Sequence, residues 1–143
     1  MNPFPSLAAA YAWLDAHVNF EQRLPTIRHD EAEFGLEAFR MRLAAIGNPH
    51  LGLRTVHVAG TRGKGSAALA LEALLRASGC RVATFTSPHL REYRERIRLD
   101  GEPIGGDEFR RLLETIAALP SAGRDDGPTG FRTVFENLTA LFF

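Results

Sequence analysis

Apolar residues recur every three to four positions in four stretches of the chain, and this spacing predicts four amphipathic helices. These stretches begin at about residues 7, 31, 107 and 134. Ser6 is a suitable N-cap for the first helix, because a serine hydroxyl can accept a hydrogen bond from a first-turn N–H. Gly47-Asn48-Pro49 is a typical stop signal for the second helix, which covers 31–46.

The pattern changes to that of an α/β unit in the middle of the chain. Residues 55–59 are rich in β-branched side chains, which predicts a buried strand. A helix then extends to about Ser78, where Gly79 is suited to end it. Nine of the residues in 67–78 are Ala or Leu, which predicts burial against a sheet. Residues 81–85 form the second predicted strand, so the order is strand, helix, strand, and we expect the two strands to be parallel.

Two further segments follow this unit. Residues 96–99 and 102–104 flank Asp100-Gly101, a pair that is typical of a tight β-hairpin turn. Residues 120–133 are rich in Gly, Pro, Ser and Asp, which predicts a surface loop.

Composition narrows the class of protein. The chain has 143 residues, of which 45% are hydrophobic and 24% charged, and this is ordinary for one globular domain. Seventeen basic and 17 acidic side chains give a net charge of zero, so nothing favours nucleic acid or a membrane surface as a partner. One cysteine excludes a disulfide framework and a cysteine-rich zinc site. We expect a cytoplasmic protein.

The strongest chemical signal is the glycine-rich loop, residues 60–66, between the first predicted strand and the helix. Glycines let backbone N–H groups approach a phosphate, a helix N-terminus adds positive potential, and Lys64 adds a charge. The spacing departs from the Walker pattern, because only two residues separate Gly60 from Gly63 and Gly65 lies between Lys64 and Ser66. The alternative interpretation is a glycine-rich turn with an exposed lysine.

The order of the motifs resembles one family. Residues 57–66 (HVAGTRGKGS) followed by 86–90 (TSPHL) are similar to the folylpolyglutamate synthase/dihydrofolate synthase family of the Mur ligase superfamily. The supporting segments occur in the family's order and span nearly the whole chain: 34–37, 43–49, 94–97, 101–104 and 135–141. The resemblance implies an α/β fold, namely a P-loop-containing Mur-ligase-type ATPase domain with a parallel sheet flanked by helices.

The resemblance also implies an activity and its site. The reaction would be the ATP- and Mg²⁺-dependent joining of L-glutamate to a pteroate or folate carboxylate through an acyl phosphate, by a monomer. Lys64 would be catalytic and Ser87 a metal ligand. The nucleotide would be held by Gly60, Thr61, Gly63, Lys64, Gly65 and Ser66. The segments with Gly35, Leu36, Phe135 and Glu136 would line the pterin pocket.

The same resemblance implies that the chain is a truncated, N-terminal part of such a ligase. Its expected parts are leading helices in 1–54, the P-loop core and hairpin in 55–119, a loop in 120–133 and the start of a cut-off helix in 134–143. The family's C-terminal, glutamate-binding domain has no counterpart in this sequence. We therefore expect the chain alone to be inactive.

Two other functional classes remain open. The first is a self-contained P-loop nucleotide-binding or kinase-like protein, which would need its own acidic metal ligand. The second is a non-catalytic interaction module that kept the fold.

Several single residues also have structural explanations. Ser87 alone would be a turn residue before proline, and Glu136 would stabilise a helix N-terminus. Arg62 could pair with a phosphate or point into solvent. His89 lacks a nucleophile to serve. His57 is better explained as a structural residue, and Cys80 as a small buried apolar one.

The arginines at 91, 94, 96 and 98 alternate with Glu92 and Glu95, which favours a solvated mixed-charge face over a binding surface for a folate tail or nucleic acid.

Overall fold

The computed structural model describes residues 3–19, 21, 36–119 and 133–143. These residues form α-helices and a small sheet. In chain order the elements are α1 (Leu7–Asp15), α2 (Leu36–Ala45), α3 (Lys64–Ala77), β1 (Ala83–Phe85), a 3₁₀ helix η1 (Tyr93–Arg96), β2 (Ile97–Leu99), β3 (Glu102–Pro103), α4 (Gly106–Ala117) and α5 (Val134–Phe142). The chain divides into two compact units, Met1–Leu53 with Arg110–Phe143, and Arg54–Phe109.

The first unit is helical, and α1 packs against α5. Ser6 caps α1 as the sequence predicts, since its side chain accepts a hydrogen bond from the Ala9 N–H at 3.2 Å. Leu14 of α1 and Leu138 of α5 are fully buried. Thr133 begins α5 with a capping box, in which its hydroxyl accepts from the Glu136 N–H and the Glu136 carboxylate accepts from the Thr133 N–H.

The predicted helix stops are confirmed. After α2, Gly47 has φ 84° and the Asn48 N–H donates to the Leu43 carbonyl at 2.7 Å. After α3, Gly79 has φ 82°, and the Cys80 N–H donates to the Leu75 carbonyl at 3.0 Å, which is the Schellman arrangement. The part of the predicted second helix at 31–35, like most of the 120–133 loop, lies outside the described residues.

The second unit contains a three-stranded antiparallel sheet in the order β1-β2-β3. Phe85 lies opposite Ile97, and Leu99 lies opposite Glu102. The predicted hairpin is confirmed: Asp100 and Gly101 connect β2 to β3 with φ values of 48° and 93°, as a tight two-residue turn requires.

The predicted parallel βαβ unit is not what the structure contains. Residues 55–59 form no strand, and Val56 is 68% exposed. The second predicted strand does exist as β1, but it pairs antiparallel with β2. β-branched composition makes residues 55–59 suited to a sheet, yet a strand also needs a hydrogen-bonding neighbour, and no described strand pairs with this segment.

The predicted burial of α3 is also wrong for this chain. Leu69 and Leu74 are 42% and 68% exposed, and the one buried residue of the helix is Glu72. Cys80 is exposed rather than a small buried residue. His57 is exposed and lies outside any strand. These three expectations assumed a sheet beneath α3 that includes residues 55–59, and the described sheet does not include that segment.

No helix within the described ranges is long and apolar enough to cross a membrane.

Candidate nucleotide-binding site

The glycine-rich loop turns directly into α3. Gly63 is the N-cap of the helix, with φ 74° and ψ 3°, a left-handed conformation that glycine adopts readily. As a glycine, Gly63 has no side chain with which to cap this end of α3. The first helical bond runs from the Ala67 N–H to the Gly63 carbonyl at 2.9 Å, so the N–H groups of residues 64–66 precede the internal hydrogen bonding of the helix. Such groups are natural donors to an anion.

The backbone of this loop is open. A side chain placed at Gly63 or Gly65 would meet no other atom within 4 Å. At Gly60 a Cβ would lie 3.8 Å from the Lys64 side chain, which is ordinary van der Waals contact. Among the described residues, the loop therefore faces open space at Gly63 and Gly65.

Lys64 is the only lysine in the sequence, and its side chain folds back on the loop. Its Nζ donates to the Gly60 carbonyl at 2.8 Å and to the Thr61 carbonyl at 3.4 Å. The residue is exposed, as are Thr61, Arg62 and Ser66. The ammonium group is thus held at the loop by weak neutral acceptors, which a phosphate oxygen can replace with a stronger, charge-assisted bond.

Ser87 lies in the loop that follows β1, and it is exposed. The peptide bond from Ser87 to Pro88 is cis. On either side of this dipeptide the loop is attached to Arg96: the Thr86 N–H donates to the Arg96 carbonyl at 2.9 Å, and the Arg96 Nε donates to His89 Nδ1 at 2.9 Å. His89 is therefore an acceptor for a buried arginine in this structure.

The arginine-rich stretch is not a solvated face throughout. Arg96 is 1% exposed, and its guanidinium lies 5.8 Å from the centre of the Tyr93 ring. Arg94 pairs with Glu92 and also donates to the Ile104 carbonyl at 3.1 Å. Arg91 remains exposed. Arg96 and its neighbour Ile97 are both buried, so the alternation of charged and apolar residues in the sequence gives no signal of this burial.

Glu95, which the sequence pattern predicts on a solvated face, binds the backbone of the loop that contains Leu90 and Arg91. Its carboxylate accepts hydrogen bonds from the Leu90 N–H at 2.8 Å and from the Arg91 N–H at 3.2 Å. The bond from Leu90 is the main cause that lowers the pKa of Glu95 below its ordinary value of 4.5, and the Arg91 and Glu92 N–H groups and His89 act in the same direction against a smaller opposing effect of burial.

Glu72 connects α3 to the sheet. This carboxylate is 4% exposed and accepts from the Arg98 Nε of β2 at 3.2 Å. Arg98 also donates to the Gly101 carbonyl in the hairpin turn. The Arg76 guanidinium of α3 packs on Gly101, where a Cβ would overlap it. These contacts fix the helix that begins at Lys64 against the hairpin.

The described residues expected at the pterin pocket lie on α2 and α5. Gly35 lies outside the described residues. Leu36 begins α2 and is 65% exposed, while Phe135 lies in the first turn of α5 and is 47% exposed. Glu136 serves the capping box of α5, which is the structural role that its position in a first turn predicts. All of these belong to the first unit, whereas the glycine-rich loop and Ser87 belong to the second.

Within the part of the chain that the structure describes, no three His, Cys, Asp or Glu side chains come together as a metal site. A cation at Ser87 would therefore need oxygen ligands from a bound nucleotide or from elsewhere.

The chain is similar in sequence and in structure to known folylpolyglutamate synthases. No protein-family profile matches the chain. The dihydrofolate synthase/folylpolyglutamate synthase of Bacillus subtilis (strain 168) is 37% identical over 109 residues, which cover 76% of this chain and 25% of that protein.

Two solved structures share the fold. Mycobacterium tuberculosis folylpolyglutamate synthase complexed with ADP matches with a TM-score of 0.75 and 29% identity, over 95% of this chain and 28% of that one. A bifunctional folylpolyglutamate synthase/dihydrofolate synthase with Mn, AMPPNP and L-glutamate bound matches with a TM-score of 0.72 and 27% identity, over 99% of this chain and 30% of that one. This chain thus spans 25% to 30% of the length of the three proteins. The chain belongs to the folylpolyglutamate synthase/dihydrofolate synthase family, as the order of its motifs predicts.

Proposed function

We propose that this chain supplies the nucleotide-binding part of an ATP-dependent ligase that joins L-glutamate to a folate or dihydropteroate carboxylate. The observation that carries the proposal is the glycine-rich loop, where an uncapped helix N-terminus and the only lysine of the chain occur together. Proteins of similar fold were solved with ADP bound, or with AMPPNP, Mn and L-glutamate bound, which supports nucleotide binding by this chain.

The chemistry explains why such a loop is needed. A carboxylate is a poor electrophile, so ligation begins with transfer of the γ-phosphoryl group of ATP to the carboxylate. The acyl phosphate that results reacts with the amine of glutamate and releases phosphate. Phosphoryl transfer depends mainly on positioning and charge neutralisation. Lys64 would neutralise charge on the transferred group, while the loop backbone from Gly60 through Ser66, including Thr61, Gly63 and Gly65, would hold the triphosphate.

Ser87 would add a hydroxyl oxygen to Mg²⁺, a hard cation that prefers oxygen ligands and usually keeps phosphates and water among them. The exposed Ser87 side chain fits this role. The absence of an acidic cluster among the described residues fits a cation that is bound mainly through the nucleotide. The metal would supply further neutralisation of phosphate charge.

The acceptor would be a pterin that carries a carboxylate. Leu36 and Phe135 are large apolar side chains left exposed in the first unit, and such side chains suit the flat face of a pterin ring. Gly35 and Glu136 flank them in the sequence and complete the proposed pocket.

We further infer that the 143 residues bind nucleotide without completing ligation, because they correspond to less than a third of the length of the similar proteins. Incubating the chain with MgATP, dihydropteroate and L-glutamate should give no ligated product. Clear turnover would contradict this inference.

A thermal shift experiment tests nucleotide binding. A ligand that binds only the folded state adds about 2.7 kcal/mol of stability at 100 times its Kd, so MgATP should raise the melting temperature of the wild-type chain. Lys64→Ala should abolish the shift. Arg81→Ala is a matched control, because Arg81 is a 98% exposed cation of the same unit outside the loop, and this variant should shift like wild type.

The outcomes separate the functional classes. No shift in the wild-type chain would favour a non-catalytic interaction module and contradict the proposal. An equal shift in Lys64→Ala would remove the glycine-rich loop as the binding site. ATP hydrolysis or phosphoryl transfer by the chain alone would favour the kinase-like alternative.

A further inference from the structure

The 3₁₀ helix η1 holds the loop that carries Ser87. At the far end of this loop, the Glu95 carboxylate accepts the N–H groups of Leu90 and Arg91 at 2.8 and 3.2 Å. Oε2 accepts from both amides and Oε1 also accepts from that of Arg91, and the charge of the carboxylate makes these bonds stronger than those of a neutral amide side chain.

The near end of the loop is attached to the next residue of η1. The Arg96 carbonyl accepts the Thr86 N–H, and the Arg96 Nε donates to His89, both at 2.9 Å. Arg96 is buried, and the His89 ring lies 4.6 Å from the ring of Tyr93, so this anchor belongs to the packed interior.

Ser87 and Pro88 are therefore bounded on both sides by anchored residues while remaining exposed themselves. Ordering a backbone residue costs about 1–2 kcal/mol, so a loop that is ordered before the ligand arrives binds it more tightly than a loop that must be ordered at binding.

We propose that Glu95 is a positioning residue, which fixes the backbone of residues 90 and 91 so that the Ser87 hydroxyl is presented to the Mg²⁺ of a bound nucleotide. Glu95 itself does not touch the metal or the nucleotide. This inference rests on the role of Ser87 in the proposed function.

Residues that orient a metal ligand change metal affinity by about 10- to 100-fold when they are altered. Glu95→Gln keeps the size of the side chain and removes its charge. At a fixed ATP concentration, the Mg²⁺ concentration that gives half of the maximal thermal shift should therefore rise about tenfold in this variant. The smaller shift with ATP and EDTA should equal that of wild type, since the glycine-rich loop is unchanged.

Glu92→Gln is the matched control. Glu92 is a carboxylate three residues earlier whose Oε1 and Oε2 accept from Arg94, so this variant should titrate with Mg²⁺ like wild type. The melting temperatures of both variants without ligand identify any general loss of stability.

Each outcome is decisive. A wild-type chain that responds to MgATP, together with an unchanged Mg²⁺ titration for Glu95→Gln, would overturn the positioning role alone. If Glu92→Gln raised the required Mg²⁺ concentration as much as Glu95→Gln, the positioning role would also be overturned, because the loss of any nearby negative charge would then explain the effect. A wild-type chain that gives no shift with MgATP would overturn the proposed function and this inference together.

Discussion

Arg98 of β2 donates to the carboxylate of Glu72 on α3 across 3.2 Å, although 26 residues separate them in the chain. Glu72 is 4% exposed, so its charge has little access to water and depends on this partner. The pair joins the helix that follows the glycine-rich loop to the hairpin of the same unit.

We expect Arg98→Met to lower the free energy of unfolding by about 3 kcal/mol, because it leaves a buried carboxylate without its cation. The double variant Glu72→Met/Arg98→Met should regain most of that loss, since it removes the charge together with its partner. Urea unfolding measures both values. Arg81→Met is the control: Arg81 pairs with Asp100 at 4.0 Å on the exposed surface, and its loss should change stability by less than about 0.5 kcal/mol. A double variant as unstable as Arg98→Met would contradict this account.

A side chain at Gly101 should destabilise the chain. Its φ of 93° is strained for any L-residue, and a Cβ would overlap the Arg76 guanidinium. Gly101→Ala should therefore lower the free energy of unfolding by about 1–2 kcal/mol, mainly through backbone strain, because the end of an arginine side chain can move. Gly105→Ala is a matched control in open space, and thermal denaturation should find it within about 0.5 kcal/mol of wild type. Equal stability of the two variants would rule out the turn as described.

The capping box of α5 allows the structural role of Glu136 to be separated from a role in binding. Thr133→Ala should destabilise the chain by about 1 kcal/mol, because the N–H of Glu136 loses its acceptor. Glu136→Gln should have a smaller effect, since glutamine also serves in capping boxes. Thr115→Ala, at an exposed position within α4, is the control and should be near neutral. If Glu136→Gln left stability intact and weakened binding of a pterin substrate, a direct role in the pocket would be supported.

The loop held by Glu95 should respond to acid. Because the folded pKa of Glu95 lies below its ordinary value of 4.5, its hydrogen bonds are fully present above that pH and are lost as the pH falls through the lower, folded value. Hydrogen exchange corrected for the intrinsic rate should therefore show protection of the Leu90 and Arg91 amides that decreases below about pH 4.5.

In the variant Glu95→Gln, the protection of the Leu90 and Arg91 amides should no longer decrease in acid. The substitution leaves the other neighbouring groups in place: His89 accepts from Arg96 through Nδ1, and Glu92 is paired with Arg94. Unchanged acid dependence in the variant would exclude Glu95 as the group responsible.

Local features of the fold were predictable, and long-range pairing was not. Ser6, Gly47, Gly79 and the Asp100-Gly101 turn act within a few residues of their own position, so the sequence pattern is sufficient to identify them. The 55–59 segment has the composition of a strand, but pairing requires a neighbour that composition does not specify. The prediction of parallel pairing for β1 was wrong for the same reason, since β1 pairs antiparallel with β2.

In the site, too, local features were predictable from the sequence and contacts between distant residues were not. The glycine-rich loop and Lys64 were evident because their residue types and spacing are unusual in any other setting. Glu72 and Glu95 were missed because an isolated glutamate is ordinary on a protein surface. Each gained its role only from the fold, Glu72 from Arg98 and Glu95 from the amides of Leu90 and Arg91.

The single lysine has a practical consequence. Reductive methylation with ¹³C-formaldehyde labels primary amines, so in this chain it would mark Lys64 and the N-terminal amine and no other side chain. The dimethylammonium resonance of Lys64 would then be one of two signals in a carbon–proton spectrum. Dimethylation leaves the Lys64 ammonium one N–H, which suffices for the 2.8 Å bond to the Gly60 carbonyl, and the chemical shift of its methyl groups would report when that bond is exchanged for one to a phosphate.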